Sequence, residues 1–510
     1  ILLGLLYIGV TGFLMEGLRL SINPVGWQRY SFVGSLLGGY FSSVDLVGEA
    51  GKLLYGVMWW SHALATFTLV ASLPYTGLAH ILSSTLNVMV SEPTVSGKLH
   101  TPFLLEELME MEDVDVTMGV NTITGFDWQQ KLGLDACTNC GRCEAACPAW
   151  AAGTPLSPRL VVQDLKSEVE NVYLSNGGTS PILDSDIVTE DQTWACTYCG
   201  ACTQACPVAI NPVQYLTEFR RHLTFEGKLD KTKNETLTHL STHSNPYGLT
   251  PTKRQELTEE LGVPTLKENR DVEYLYWIGC VATYDDRSIE IAKAVVKILK
   301  TAGVSFGVLG AEERCTGDPA RRFGEEARFQ ELASENIDTF KKYSVKKILT
   351  HCPHCFNTFK NEYPDLGGDF EVIHHSQLIR NLLEKGRISL KETVGHATLH
   401  DACYMGRFNQ VYDAPREVLR AIPGLELVEM DRTKEKSFCC GAGGCNYWYD
   451  VPQEERVSVI RTKEAGETRA DLLAVECPFC LPTLEDGAKI EGLDETMKVK
   501  DISEIVAEAL

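Results

Sequence analysis

The sequence predicts a multidomain chain: an α-helical membrane segment, an α-helical cysteine-rich domain, and two repeated α/β domains built on parallel sheets. Three observations predict it. From Leu53 to Ser91 there is no Asp, Glu, Lys or Arg, and about 20 apolar residues suffice to span a bilayer. None of the 18 cysteines precedes Cys137 or follows Cys480, and two blocks of them share one spacing. Further on, Cys280 recurs at Cys403, Cys315 at Cys439, and Cys352 and Cys355 at Cys477 and Cys480, with offsets of 123, 124 and 125. A length of 510 residues argues against one compact core. With 47 basic against 69 acidic residues the net charge is −22, which speaks against a nucleic-acid binder. A mean hydropathy of −0.09 excludes a polytopic membrane protein but is an average that accommodates a short membrane region.

In the first region, residues 1–95, Leu53 to Leu73 is the stronger membrane span. Trp59, Trp60 and Tyr75 are placed to meet headgroups or to pack between helices. Ile1 to Met15 is a second uncharged stretch, ended by Glu16 and Arg19 and short for a full span. The chain opens on Ile rather than Met, so further residues are expected upstream. His62 and His80 are the only histidines of the uncharged stretch. On one helix their spacing is 5.0 turns, which puts them on one face about 27 Å apart, close to the hydrocarbon thickness of about 30 Å. Such a pair suits haem ligands, one near each leaflet; packing or headgroup histidines fit the spacing too, and Pro74 between them can kink the helix. Second haem ligands are then expected from upstream residues or another subunit. Residues 96–130 form an acidic linker, with Glu106, Glu107, Glu110, Glu112, Asp113 and Asp115 reading as a solvated face.

Residues 131–222 carry Cys137, Cys140, Cys143 and Cys147-Pro148, then Cys196, Cys199, Cys202 and Cys206-Pro207. Both are C-x2-C-x2-C-x3-C-P, the spacing of two-cluster ferredoxins, in which the fourth cysteine ligates the other cluster. The expected sets are Cys137, Cys140, Cys143 and Cys206 on one [4Fe–4S] cubane, and Cys196, Cys199, Cys202 and Cys147 on the second. Zinc modules usually come as separated cysteine pairs, and nothing else suggests the oxidising compartment that disulfides need. Residues 223–270, polar and carrying Asn245-Pro246 and Pro251, read as a connector. After them, short apolar runs ending in cysteine alternate with helical patterns such as Ser288 to Gly303, which predicts parallel sheets. The repeat gives two modules, 271–390 and 391–510.

Module two has Cys403, then Cys439-Cys440-Gly441, then Cys477-Pro-Phe-Cys480. Adjacent cysteines do not fit one corner of a regular cube without strain, so an unusual metal centre is expected. "SFCCGAGG" and "ECPFC" resemble the cysteine-rich CCG domain family, best known from catalytic subunits of heterodisulfide reductases. The resemblance implies that Cys403, Cys439, Cys440, Cys477 and Cys480 hold a noncubane [4Fe–4S] cluster where disulfide chemistry takes place. Cys445 stands where that family usually has glycine, and can be an extra ligand, a redox-active neighbour or a small buried residue. Module one keeps Cys280, Cys315, Cys352 and Cys355, with Thr316 in place of the second adjacent cysteine. Four thiolates suit a further ordinary [4Fe–4S] cluster, and the module carries that or none.

"CTGDPARR" and "CPHCFNTFKNEYP" look most like the D-type heterodisulfide reductase subunits, over roughly residues 130 to 510. The order of domains is also that of the iron–sulfur subunits of glycolate oxidase and anaerobic glycerol-3-phosphate dehydrogenase. "VTGFLMEGLRL" with "WWSHALATFTLVASLPYTGLAHIL" resembles the end of nitrate-reductase-gamma-type cytochromes b, which implies haem b at His62 and His80. Fused chains of this shape resemble membrane oxidoreductases for electron-transfer flavoprotein. The resemblance implies an oxidoreductase passing electrons between that flavoprotein, or another soluble redox protein, and (mena)quinone, its iron–sulfur domains on the cytoplasmic side of the membrane. The alternative is a thiol–disulfide reductase working at module two. Neither G-x-G-x-x-G after a strand nor G-x-x-x-x-G-K-[ST] occurs, so any flavin or nucleotide reaction belongs to a partner. His354, His374, His375 and His400 lie near the modules as proton carriers or supporting residues, and Arg321 and Arg322 as docking or salt-bridge residues.

Overall fold

A computed structural model describes residues 2–76, 78–91, 97–110, 118–174 and 177–510. They fall into two compact units, divided after Thr85.

In the first unit, α1 (Leu2–Ile22) packs against α2 (Phe32–Ser43) and α3 (Glu49–Ser72). α1 does not stop at Met15. Glu16 and Arg19 are good helix formers, and the helix runs on until Asn23-Pro24, where proline disfavours helical backbone in the residue before it. α1 and α3 are long and apolar enough to cross a bilayer. α3 turns Leu53, Trp60, Leu64 and Phe67 outward, each about 70 % exposed. Its inner side meets α1 through polar pairs: Tyr7 Oη donates to Ser61 Oγ (3.0 Å), and Thr11 Oγ1 lies 2.9 Å from His62 Nδ1. The expected single helix through His62 and His80 does not form. α3 ends at Ser72, a 3-10 turn covers Leu73–Tyr75, and α4 (His80–Val90) starts anew. The break lies at Pro74, which has no N–H to continue the helical ladder, and the backbone turns extended at Thr76, so the five-turn register is lost.

The second unit begins with the end of α4. Asn87, 5 % exposed, donates from Nδ2 to the carbonyl of Val208 (2.6 Å). Residues 97–105 then form a strap along module one and the end of the ferredoxin-type block: Asn357 Nδ2 donates to Gly97 O (3.1 Å), Arg221 to His100 O (2.6 Å), and Gln330 to Phe103 O (2.8 Å). The linker is therefore docked over this part. Glu106, Glu107 and Glu110 sit on the short helix Leu105–Glu110, whereas Glu112, Asp113 and Asp115 lie outside the described residues.

The ferredoxin-type block is helical, and the helices that lead into its two motifs are capped in the same way. Asp127 with Gln130 and Thr189 with Gln192 each form a capping box. Both C-x2-C turns put their third residue, Asn139 and Tyr198, in left-handed backbone (φ +56° and +52°). Asn tolerates that conformation, Tyr less so, and Tyr198 is held there while buried under the Arg220 guanidinium, 4.5 Å from its ring.

Each module is a four-stranded parallel sheet. β1 (Tyr274–Trp277), β2 (Phe306–Gly307), β3 (Lys347–Thr350) and β4 (Glu371–His374) lie in the order β2-β1-β3-β4. β5 (Gly395–Leu399), β6 (Leu425–Leu427), β7 (Leu472–Val475) and β8 (Lys498–Asp501) repeat it as β6-β5-β7-β8. Cys280, Cys403 and the C-x2-C pair of each module follow the carboxyl end of a strand, where open α/β sheets gather their ligands. The stretch 223–270 is not a loose connector. Its helices Lys231–His243 and Thr252–Leu261 bury Leu237, Leu240, Leu257 and Leu261 in the common core, which explains its ordered course despite its polarity.

At the end of β8, Asp501 caps the last helix through Ser503 N (2.8 Å) and meets His375 Nε2 (3.0 Å) from module one. Burial alone would raise the Asp501 pKa, but His375 and Ser503 outweigh it and hold it below the ordinary value. A depressed carboxyl stabilises the fold fully above its unfolded pKa of about 3.9 and loses that share as pH falls through the lower folded value. Asp501→Asn is expected to lower stability by about 1–3 kcal/mol at pH 7 and to weaken the acid dependence of unfolding below pH 4. Denaturant titrations at pH 7 and pH 3 check this; an equal loss at both would contradict it.

Candidate iron–sulfur sites

The chemistry of the described residues gathers around sulfur. Cys137, Cys140, Cys143 and Cys206 line one cavity of about 410 Å³. Cys147, Cys196, Cys199 and Cys202 line a second of about 340 Å³. The chain thus exchanges the fourth cysteine of each motif: Pro148 and Pro207 turn the backbone away right after Cys147 and Cys206. Cys140 is exposed and Cys137 and Cys143 partly so, whereas Cys196, Cys199 and Cys202 are buried. Gln163 Nε2 donates to Cys137 Sγ (3.1 Å).

A third cavity, about 400 Å³, is lined by Cys280, Cys315, Cys352 and Cys355, with Thr316 in its wall and Pro478 and Phe479 of module two beside it. The Thr252–Leu261 helix supplies Arg254, whose guanidinium pairs with buried Glu313 and lies 3.5 Å from Cys280 Sγ. Glu313 in turn accepts from Gly279 N (2.8 Å) and Ile278 N (3.1 Å), fixing the loop before Cys280. Nothing in the sequence marked Arg254 as part of this site, because its polar helix resembles a linker.

In module two the five cysteines form a chain of thiol contacts. Cys439 meets Cys403 and Cys440, Cys440 Sγ lies 3.3 Å from Cys480 Sγ, and Cys480 meets Cys477. Cys439 also contacts Cys199 of the ferredoxin-type block. This joint is made possible by Gly443 and Gly444: a Cβ on either would overlap the carbonyl oxygens of Thr197 and Cys196. Cys445 lies apart from the five. It is buried, in left-handed backbone (φ +68°), and donates to Pro319 O (3.3 Å).

Burial raises most of these thiols. Cys143 and Cys196 are pushed up to about 11, and Cys202 rises well above the ordinary value. A proton would hold them neutral; a metal centre replaces it and keeps the sulfur anionic. Four thiols around one cavity therefore fit an iron–sulfur cluster at three places, and five clustered thiols fit a metal centre in module two.

The histidines are buried. His354 Nδ1 faces Asp318 Oδ2 (3.1 Å) and its ring stacks on Tyr404 at 4.1 Å. His374 and His375 touch each other (3.3 Å) between the modules. His400 lies with Cys440 and Cys480, ligating atoms within 4.8 Å of one another, and its Nδ1 accepts from Arg461 Nε (3.1 Å). Burial and then Arg461 lower its pKa to about 3, which favours the neutral imidazole. Arg321 and Arg322 are likewise buried, paired with Glu326, Glu362 and Asp318, and are salt-bridge residues rather than a docking patch.

Known proteins share this arrangement of sites. The cysteine-rich domain family matches residues 274–360 and again 397–485, and the 4Fe-4S dicluster domain matches 136–210. The probable iron-sulfur-binding oxidoreductase FadF of Bacillus subtilis is 34 % identical over 99 % of this chain and 77 % of its own length. The chain belongs to the CCG-domain iron–sulfur oxidoreductases. Within that family, the EtfAB:quinone oxidoreductase of Syntrophomonas wolfei is 33 % identical over 98 % of this chain and 75 % of its own. The D-type subunit of the dihydromethanophenazine:CoB–CoM heterodisulfide reductase of Methanosarcina barkeri is 34 % identical over 75 % of this chain and 95 % of its own. As a CCG-domain oxidoreductase the protein uses [4Fe–4S] clusters, and its two cysteine-rich modules are the two copies of the family domain.

Proposed function

We propose that this oxidoreductase carries electrons between a soluble electron-transfer flavoprotein and membrane quinone. The observation that carries the reading is the contact of Cys199 with Cys439, which joins the ferredoxin-type block to module two without intervening chain. Our assignment is two cubane [4Fe–4S] clusters, on Cys137, Cys140, Cys143 and Cys206 and on Cys147, Cys196, Cys199 and Cys202. To these we add a conventional cluster on Cys280, Cys315, Cys352 and Cys355 and a noncubane cluster on Cys403, Cys439, Cys440, Cys477 and Cys480. Bound there, the clusters supply one-electron storage and transfer. The protein's part is to hold them close and dry, and to set their surroundings through groups such as Arg254 and Gln163.

The membrane half of the reading is supported by two apolar helices of spanning length and by likeness to a probable membrane-anchored ferredoxin of Chromohalobacter salexigens, 40 % identical over 79 % of this chain. It puts the iron–sulfur domains on the cytoplasmic side. Haem b at His62 and His80 belongs to the same proposal. Thr11 at His62 Nδ1 leaves Nε2 to bind iron, as a supporting hydrogen bond does in many metal sites. A second reading, disulfide reduction at module two, is favoured by the five gathered cysteines.

The purified membrane complex decides between them. Reduced flavoprotein with a menaquinone analogue is expected to turn over, while a thiol/disulfide couple is not; the opposite pattern would install the second reading. Iron analysis is expected to give about sixteen irons per chain, four for each cluster, and a firm value near eight would remove both module clusters. A reduced-minus-oxidised spectrum without a b-type band would remove the haem.

A further inference from the structure

Eight arginines are buried among the described residues. Six of them, Arg221, Arg254, Arg321, Arg322, Arg416 and Arg461, touch a carboxylate. Arg220 and Arg407, 0 % and 3 % exposed, have no carboxylate partner among the described residues. Both bind neutral carbonyls instead. Arg220 donates to Cys196 O (2.8 Å), Trp194 O (3.1 Å), Arg322 O (3.0 Å) and Gly444 O (2.7 Å), and to Thr193 O through Nε and Nη2. Arg407 donates to Cys199 O (2.7 Å), Ser437 O (2.6 Å) and Glu435 O (3.3 Å), and its buried Nε has no acceptor.

Carbonyls satisfy hydrogen bonds but bring no charge, and a buried cation without a counter-ion is expensive. The two exceptions share a location. Each grips one end of the Cys196–Cys199 turn, and each reaches module two on a different side of Cys439-Cys440, at Ser437 and at Gly444. They straddle the place where Cys199 meets Cys439. The charge missing from the protein is therefore the charge that four thiolates around iron and sulfide carry.

We propose that Arg220 and Arg407 form a cationic clamp whose counter-ion is the second ferredoxin-type cluster, and that the clamp raises the reduction potential of this cluster above that of the first. Two positive charges stabilise the reduced form, which carries one more negative charge. Solvent exposure, net charge and hydrogen bonds are the levers that set such potentials. The first site lacks the clamp: of the two arginines in its wall, Arg142 is exposed and Arg159 is paired with Glu144. Arg220 and Arg407 are positioning residues in this account, which rests on the cluster assignment proposed above.

The test is a redox titration of the whole chain followed by EPR, with iron content measured on each sample. Cys140→Ala, which disables the first site, labels the signals. In the parent protein the signal lost in Cys202→Ala, which disables the second site, is expected to have a higher midpoint than the signal lost in Cys140→Ala, and a lower one would overturn the proposal without any arginine variant having to fold. Arg220→Gln and Arg407→Gln are each expected to shift the second cluster's reduction equilibrium at least tenfold toward the oxidised form. For one electron that is a fall of about 59 mV, with the first cluster unmoved. Arg407→Lys, which keeps the charge and loses the fork, is expected to fall by less than Arg407→Gln. An unchanged midpoint in both glutamine variants at full iron content would overturn the clamp while leaving the cluster assignment intact. Absence of the second signal from the parent protein would instead strike the assignment.

Discussion

Cys440→Ala is expected to abolish the module-two centre and to leave both ferredoxin-type clusters in place. Cys440 sits between Cys439 and Cys480 in the chain of thiol contacts, 3.3 Å from the latter, so its loss removes the link between the two halves of the five-cysteine set. The substitution itself is small and buried and takes one thiol acceptor from the Ala442 backbone N–H, a loss the fold is expected to survive. Iron should fall by about four per chain, with one EPR signal lost. Electron delivery past module two should drop by at least the roughly 10- to 100-fold that loss of an outer-shell group causes at metal sites. Retention of full quinone-linked turnover would mean that module two lies off the electron path. The same variant of Cys445, which points to Pro319 O and away from the five, is expected to keep the iron content of the parent.

The second large effect concerns the joint rather than a ligand. Gly444→Ala places a Cβ where the Cys196 carbonyl oxygen already lies, in left-handed backbone of φ +62°. Strained backbone costs about 1–3 kcal/mol and overpacking about as much again. A stability loss of about 2–5 kcal/mol is expected, read from the denaturation midpoint. The loop has to retreat from the Cys196–Cys199 turn, taking with it the Gly444 carbonyl that Arg220 holds. All four clusters should remain, so a variant with normal iron and slowed transfer between the ferredoxin-type block and module two is the expected signature. Normal stability and normal transfer would show that the close approach is not needed.

Much of the architecture was legible from cysteine spacing, because metal ligation constrains sequence more tightly than packing does. The exchanged fourth cysteine of each motif and the doubled sheet both follow from local patterns, a proline after cysteine and a constant repeat offset. The misreadings have a common cause. Arg254, Gly443 and Gly444 act through partners far away in the chain, and no local periodicity reports such contacts. The helices of 223–270 are polar on average and bury only one side, so their composition resembles a linker. The register of His62 and His80 holds only on one continuous helix, and the break comes at Pro74, the residue the sequence marks as able to kink it. Arg220 and Arg407 could not be singled out among 47 basic residues; only the absence of a carboxylate beside them, visible in three dimensions, sets them apart.

Electron passage depends on the junction at Cys199 and Cys439, where the ferredoxin-type block meets module two. The direct measurement is pulsed EPR of the fully reduced protein, comparing the relaxation of the second ferredoxin-type cluster in the parent chain and in Cys440→Ala. Centres in contact through adjacent ligands are expected to be magnetically coupled, giving fast relaxation that slows when the module-two centre is removed. Identical relaxation in the two proteins, with both centres present and paramagnetic in the parent, would contradict the junction.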